Sequence, residues 1–225
     1  SLGTSAIIRC YVYADNSGDA LAVAGHSSGA AMRYCVIVAP SGHSGRLISG
    51  AGSLVVTNSI LIGAGSGNAL NQSDTTSPSA GGIENSTIVN FAYLIQESVF
   101  GSGSFGFSSP FEIRNNILYD MTGGITASAG GDVQSIHFDR NAWGAITGNK
   151  YDSEDKYEID GDIDLTVSPF TDYDNGDYTL NGTSGGGAEC KDIGVDLLDG
   201  NHTTYTTLGA INEARRVMLG LQLKT

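Results

Sequence analysis

Six short β-rich runs recur along the first 145 residues at intervals of about 22–30 residues. They read IIRCYVYA (7–14), MRYCVIVA (32–39), VVTNSILI (55–62), GIENSTIV (82–89), EIRNNILY (112–119) and VQSIHFD (133–139). Three of them carry an asparagine followed two or three residues later by isoleucine: Asn58 and Ile60, Asn85 and Ile88, Asn115 and Ile117. Between the runs lie small-residue stretches such as GAGSGNAL, GSGSFGFSS and MTGGITASAGG. No such run can bury its own apolar face. A repeat of this length must stack on its neighbours, which buries a continuous core.

The period matches one coil of a right-handed parallel β-helix, with short strands, tight corners and coils spaced by about 4.8 Å. Six runs then stack to roughly 30 Å. The chain is expected to be all-β: a right-handed single-stranded parallel β-helix over residues 1–147, a β-rich acidic closing region over 148–212, and a short C-terminal arm over 213–225. Strict alternation puts Val56, Asn58, Ile60 and Ile62 on one face and Thr57, Ser59 and Leu61 on the other. Asn58, Asn85 and Asn115 are expected at the bends as a stacked amide ladder, with glycines supplying positive φ at corners. An antiparallel β-sandwich is the alternative; it calls for hairpin turns every 8–12 residues.

Composition agrees. Of 225 residues 32 are glycine and 4 are proline, without the three-residue glycine period of collagen. The 40% hydrophobic share suffices for a core and excludes a disordered chain. Apolar runs stay under ten residues, too short for a membrane-spanning helix, and no basic-then-apolar leader opens the chain. The start at Ser1 fits a product whose initiator methionine is removed. A net charge of −13 repels phosphate, so nucleic acid is not an expected partner, nor is a membrane. That charge is uneven. Residues 1–131 are nearly neutral, residues 132–212 hold sixteen acids against four Lys/Arg, and residues 213–225 are net positive. Acidic surface over a sheet edge discourages edge-to-edge pairing.

From Arg114 to Ala210 the chain resembles a broad group of right-handed parallel β-helix repeat proteins of bacteria and their phages. Asn175, Gly176, Asp177 and Tyr178 match the asparagine–glycine–aspartate–tyrosine segment near the end of such repeats. Asp192, Ile193 and Gly194, and then Leu208, Gly209 and Ala210, resemble the closing turn. The group includes carbohydrate-active enzymes, adhesins, tailspikes and virion surface proteins. The resemblance implies the fold and, commonly, a trimer; it does not choose among activities.

Candidate sites are few. A glycosidase needs two carboxylates flanking the bond. Asp120 and Asp139, each at the end of a β-rich run on neighbouring coils, are the nearest approach to a pair. Glu158, Asp160, Asp162 and Asp164 alternate, so a straight strand would line four carboxylates on one face, a weak calcium candidate. Cys10 and Cys35 sit in similar contexts 25 residues apart and read as small buried residues in neighbouring layers; stacked positions also lie within disulfide range. The four histidines show no metal spacing, and no cofactor is expected. After Ala210, the basic pair Arg215 and Arg216 precedes Val217, Met218, Leu219, Leu221 and Leu223, an apolar strip that suits docking on a partner or sister subunit. These features point to a non-catalytic structural protein of a phage particle. It would be a capsid decoration (cement) protein on the virion surface, a homo-oligomer contacting other virion proteins. The alternative is a polysaccharide-degrading or polysaccharide-binding domain such as a tailspike, secreted or at the cell surface. Tyr11, Tyr13, Tyr93 and Phe105 are the aromatics available to bind glycan.

Overall fold

A computed structural model describes residues 5–13, 21–23, 30–50, 54–72, 81–96, 111–126, 136–151, 157–191, 194–195 and 205–206. These residues form an all-β parallel solenoid. Its first sheet stacks seven strands in sequence order: Ser5–Ile8, Ala30–Arg33, Leu54–Thr57, Gly82–Glu84, Phe111–Arg114, Ile136–Asp139 and Tyr157–Asp160. The second sheet stacks Tyr11–Tyr13, Val36–Val38, Ile60–Ile62, the start of Thr87–Gln96, the start of Ile117–Thr126, Ala142–Ile146 and Ile163–Leu165. Each level, one strand from each sheet, is termed a rung. A third parallel run joins Leu21–Val23, Arg46–Gly50 and Asn68–Gln72 to the later parts of the two ten-residue strands.

The register carries Ile8, Arg33, Thr57, Glu84, Arg114, Asp139 and Asp160 in one column. The residue after each is Arg9, Tyr34, Asn58, Asn85, Asn115, Arg140 or Gly161, and every one has positive φ, between 48° and 67°. This left-handed bend joins the two sheets on all seven rungs. Asparagine tolerates the conformation best among non-glycine residues, which explains the three asparagines in the sequence pattern. At the seventh rung glycine serves instead.

The bend resets the alternation of side chains. Before it, Val56 points inward and Thr57 outward; after it, Ser59 and Leu61 point inward while Ile60 and Ile62 face the outside of the second sheet. The uninterrupted alternation expected for residues 56–62 is therefore corrected. The interior is a stack of buried apolar columns. One runs Met32, Val56, Ile83, Ile113 and Phe138; the other runs Ile37, Leu61, Ile88, Leu118 and Trp143.

Two features extend the sequence expectation. The sheets continue through Leu165, because Tyr157–Asp160 and Ile163–Leu165 add a seventh rung in the same register. Beyond Leu165 the chain forms a lateral cover. The antiparallel pair Phe170–Asp172 and Asp177–Leu180 lies against the outer face of the second sheet. There Val89, Ile117, Ala142 and Leu165 bury against Phe170 and Cys190. Tyr178 reaches as far as Val36 and Ile60. Gly144 makes room for this layer: a Cβ there would sit 2.8 Å from the Tyr119 ring, which packs edge-on against Phe170 with ring centres 5.6 Å apart. Asn181 locks the turn beyond. Its Nδ2 donates to the Ser168 and Phe170 carbonyls, and its Oδ1 accepts from the Thr183 and Gly187 amides.

Candidate functional site

Inside the bend, immediately after the left-handed residue, the seven rungs present Cys10, Cys35, Ser59, Ser86, Asn116, Asn141 and Asp162. From the second rung onward this column is a hydrogen-bonded ladder. The Cys35 amide donates to Ser59 Oγ at 3.2 Å, and the Ser59 amide to Ser86 Oγ at 3.1 Å. The Ser86 amide donates to Asn116 Oδ1 at 2.9 Å, and the Asn116 amide to Asn141 Oδ1 at 3.1 Å. The Asn141 amide ends the series on Asp162 Oδ1 at 2.7 Å. Each side chain thus satisfies a backbone N–H that the bend removes from the sheet ladder. The core ladder falls one residue beyond Asn58, Asn85 and Asn115, which occupy the bend itself.

Asp162 terminates the ladder. Its Oδ2 accepts from Trp143 Nε1 at 2.7 Å and Tyr151 Oη at 2.8 Å. Burial raises its carboxyl above the ordinary range, against the pull of these donors and of Asn141. Asp164 stands in the next interior column, over the last rung, and pairs with Lys150, whose ammonium lies 6.0 Å from the Trp143 ring centre. Asp160 lies before the bend, on the outer side of the first sheet. The break at Gly161 therefore leaves Glu158 and Asp160 on the outer side and turns Asp162 and Asp164 to the interior side, and the single four-carboxylate face expected from alternation is not formed. Among the described residues no group of three His, Cys, Asp or Glu side chains is placed to hold a metal.

Asp120 and Asp139 are also separated. Asp120 occupies a second left-handed corner, past the second sheet, in register with Asn90 and Ala145. Its Oδ2 accepts from Tyr173 Oη at 2.7 Å, which ties the lateral cover to the solenoid. Asp139 ends a strand of the first sheet, is buried, and lies 3.5 Å from Arg140 Nε. The two carboxylates flank opposite edges of the second sheet and form no pair.

The outer side of the first sheet instead carries a charged lattice that no motif in the sequence singled out. Glu84, Arg114, Asp139 and Asp160 are successive in one column, and Glu112, His137 and Glu158 in the other. Glu112 bonds Arg114 and lies 3.0 Å from His137 Nδ1. The Glu84 carboxyl is raised, first by burial; Arg114 opposes this, and Glu112 adds to it. The signal was available: equivalent positions of consecutive repeats hold charged or titratable residues, with Arg114 between Glu84 and Asp139 in one column and His137 between Glu112 and Glu158 in the other.

The first rung differs from all others. Ile8 is 55% exposed, Tyr11 43% and Tyr13 59%. Tyr11 and Tyr13 head the same two outward columns that the lateral cover buries on later rungs. The interior-facing Ile7, Cys10 and Val12 are only half-buried. The arm residues Arg215, Arg216, Val217, Met218, Leu219, Leu221 and Leu223 lie outside the described residues. No helix among the described residues is long and apolar enough to cross a membrane. No protein family, curated protein or solved structure matches the chain.

Proposed function

We propose that this chain is a non-catalytic structural protein of a phage particle, a capsid decoration protein that docks on the shell or on sister subunits through its first rung. The observation that supports the reading is the exposed apolar group of Ile8, Tyr11 and Tyr13 on a strand level that pairs on one side only among the described residues. Exposed aromatics beside an unpaired sheet edge favour association, by apolar burial and by strand addition. The phage assignment rests on the resemblance of the Asn175–Tyr178 segment, and a virion-surface location and a trimer follow from it as parts of the proposal. The test combines sedimentation of the purified chain with co-sedimentation on phage shells stripped of surface proteins. The wild-type chain is expected to self-associate or to pellet with the shells, and Tyr11→Ser/Tyr13→Ser to do neither at an unchanged melting temperature. A wild-type chain that stays monomeric and in the supernatant overturns the proposal.

A second reading, a polysaccharide-binding or polysaccharide-degrading surface, is favoured by the first-sheet lattice. Glu84, its carboxyl raised chiefly by burial, lies one rung from Glu112, and two carboxyl groups in unlike environments suit glycosidic acid–base chemistry. Glycan binding or cleavage that disappears in Glu84→Gln and Glu112→Gln supports this reading. Cleavage by wild type that both variants retain removes it.

A further inference from the structure

The interior ladder changes its chemistry at one end. From the third rung to the seventh its members are Ser59, Ser86, Asn116, Asn141 and Asp162, each offering an oxygen to the amide of the rung before. On the first two rungs the same position holds thiols. The amide of Cys35 still finds Ser59 Oγ. The amide of Cys10 faces a rung whose ladder atom is the Cys35 sulfur, a weak acceptor. The oxygen stitch that joins later rungs is thus missing between rungs one and two.

The register puts the two thiols in the right place for a covalent substitute. Ile8 pairs with Arg33 and Tyr11 with Val36, so Cys10 and Cys35 are direct neighbours across the stack. The Val36 amide donates to the Cys10 carbonyl at 2.9 Å, which keeps the two backbones at sheet distance. In-register parallel strands are about 4.8 Å apart, inside the Cα range that a disulfide spans. Both side chains face the interior, where Cys35 packs in the core and Cys10 packs against it, and the Cys35 thiol adds to burial, the main cause, in raising the Cys10 thiol to about 12. Cys35 is fully buried and its thiol donates to the Arg33 carbonyl at 3.3 Å. The third cysteine, Cys190, is buried beneath the lateral cover, with Val89, Ile117, Ala142, Leu165 and Phe170.

We propose that Cys10 and Cys35, free thiols in this structure, are a disulfide-forming pair that staples the first rung to the second. The oxidant is a small-molecule disulfide such as oxidised glutathione. One cysteine thiolate attacks it and releases one glutathione thiolate, leaving a mixed disulfide. The second cysteine, after losing its proton, attacks the protein sulfur of that mixed disulfide and releases the second glutathione. Two protein S–H bonds are lost, one S–S bond forms, and the two electrons reduce the glutathione disulfide. Because burial keeps the Cys10 thiol protonated at neutral pH, the exchange is slow in the folded chain. It is fast while the rung is open during folding, when burial no longer raises the thiol, and in the folded chain it quickens only gradually as pH rises. The inference does not depend on the phage assignment, only on the ladder.

The experiment uses the full chain, both refolded in glutathione redox buffer and oxidised while folded in mildly alkaline buffer. Free thiols are then alkylated and the chain is digested with trypsin without reductant. Cleavage after Arg9, Arg33 and Arg46 yields peptides 10–33 and 34–46, each with one of the two cysteines. The expected product is these two peptides linked, two hydrogen masses lighter than their sum, with Cys190 alkylated. The oxidised chain is expected to melt about 5 °C or more above the reduced one. Cys10→Ser should abolish both the linked peptide and the reductant-dependent shift while leaving a folded chain. Failure to find the 10–33/34–46 pair under both conditions, or a link from Cys10 to Cys190, overturns the assignment.

Discussion

The two ends of the solenoid solve the same problem in different ways. Among the described residues, both present an interior column with no further rung to cover it. At the seventh rung two of the three interior positions are acids. Asp162 gathers the Asn141, Trp143 and Tyr151 donors, and Asp164 holds Lys150 over the indole. Tyr151 packs edge-on against Phe138 and Trp143 beneath them, and Ile159 is the apolar exception left exposed. At the first rung the interior positions are Ile7, Cys10 and Val12, and their outward neighbours are aliphatic or aromatic. One end is finished by polar chemistry on its own side chains. The other keeps apolar surface, with Ile8, Tyr11 and Tyr13 exposed. Polarity at the terminal rung thus distinguishes the two ends, and the proposed docking role belongs to the apolar one.

Breaking the closed end should have the largest effect. Trp143→Ala removes the fully buried ring on which the cap rests and is expected to cost about 3–5 kcal/mol in urea unfolding. Val12→Ala, the equivalent column position on the open first rung, should cost no more than about 1 kcal/mol, since that side chain is only half-buried. Equal costs would mean that the ends are equally packed.

Next in size is Asp162→Ala. It strands the Trp143 indole N–H, the Tyr151 hydroxyl and the Asn141 amide at once, for an expected loss of about 2–3 kcal/mol.

A smaller, pH-dependent effect sharpens the same point. The Asp162 and Glu84 carboxyls are both raised, chiefly by burial. Between the ordinary carboxylate value of about 4 and the raised folded-state values, the folded chain holds more protons than the unfolded one. Stability therefore falls as pH rises through that window and is regained as pH drops back through it. Asp162→Asn and Glu84→Gln should each flatten this part of the melting-temperature profile, and a slope unchanged in both variants would contradict it.

The smallest effect on stability belongs to the open end. Tyr11→Ser/Tyr13→Ser should change unfolding free energy by less than about 0.5 kcal/mol while abolishing association. A large loss of stability would show that the tyrosines are part of the core.

The repeat was legible because the left-handed bend imposes a residue preference on every rung, and Asn58, Asn85 and Asn115 satisfy it in the most recognisable way. Arg9, Tyr34 and Arg140 occupy the same bend without carrying the signal, so the column was seen only in part. The ladder was harder to read, since Cys, Ser, Asn and Asp all serve the one role of a short side chain. Its trace is the dipeptide series Arg9-Cys10, Tyr34-Cys35, Asn58-Ser59, Asn85-Ser86, Asn115-Asn116, Arg140-Asn141 and Gly161-Asp162. Asp120 and Asp139 are kept apart by the width of the second sheet, whereas the alternating carboxylates Glu158, Asp160, Asp162 and Asp164 fail to share one face for a local reason. Counting by twos assumes a straight strand, and the bend at Gly161 reverses the parity between Asp160 and Asp162.

By itself the sequence determined the class of structure. Short β-rich runs at this period, joined by glycine-rich segments, have no stable option except to stack, because each buries its apolar face only against its neighbours. Tertiary structure decided which carboxylates meet, which end is closed, and that the segment after Leu165 runs along the side of the solenoid. Those outcomes depend on register and on the parity change at each bend. Both are properties of backbone dihedrals, and they place residues dozens of positions apart within one hydrogen bond of each other.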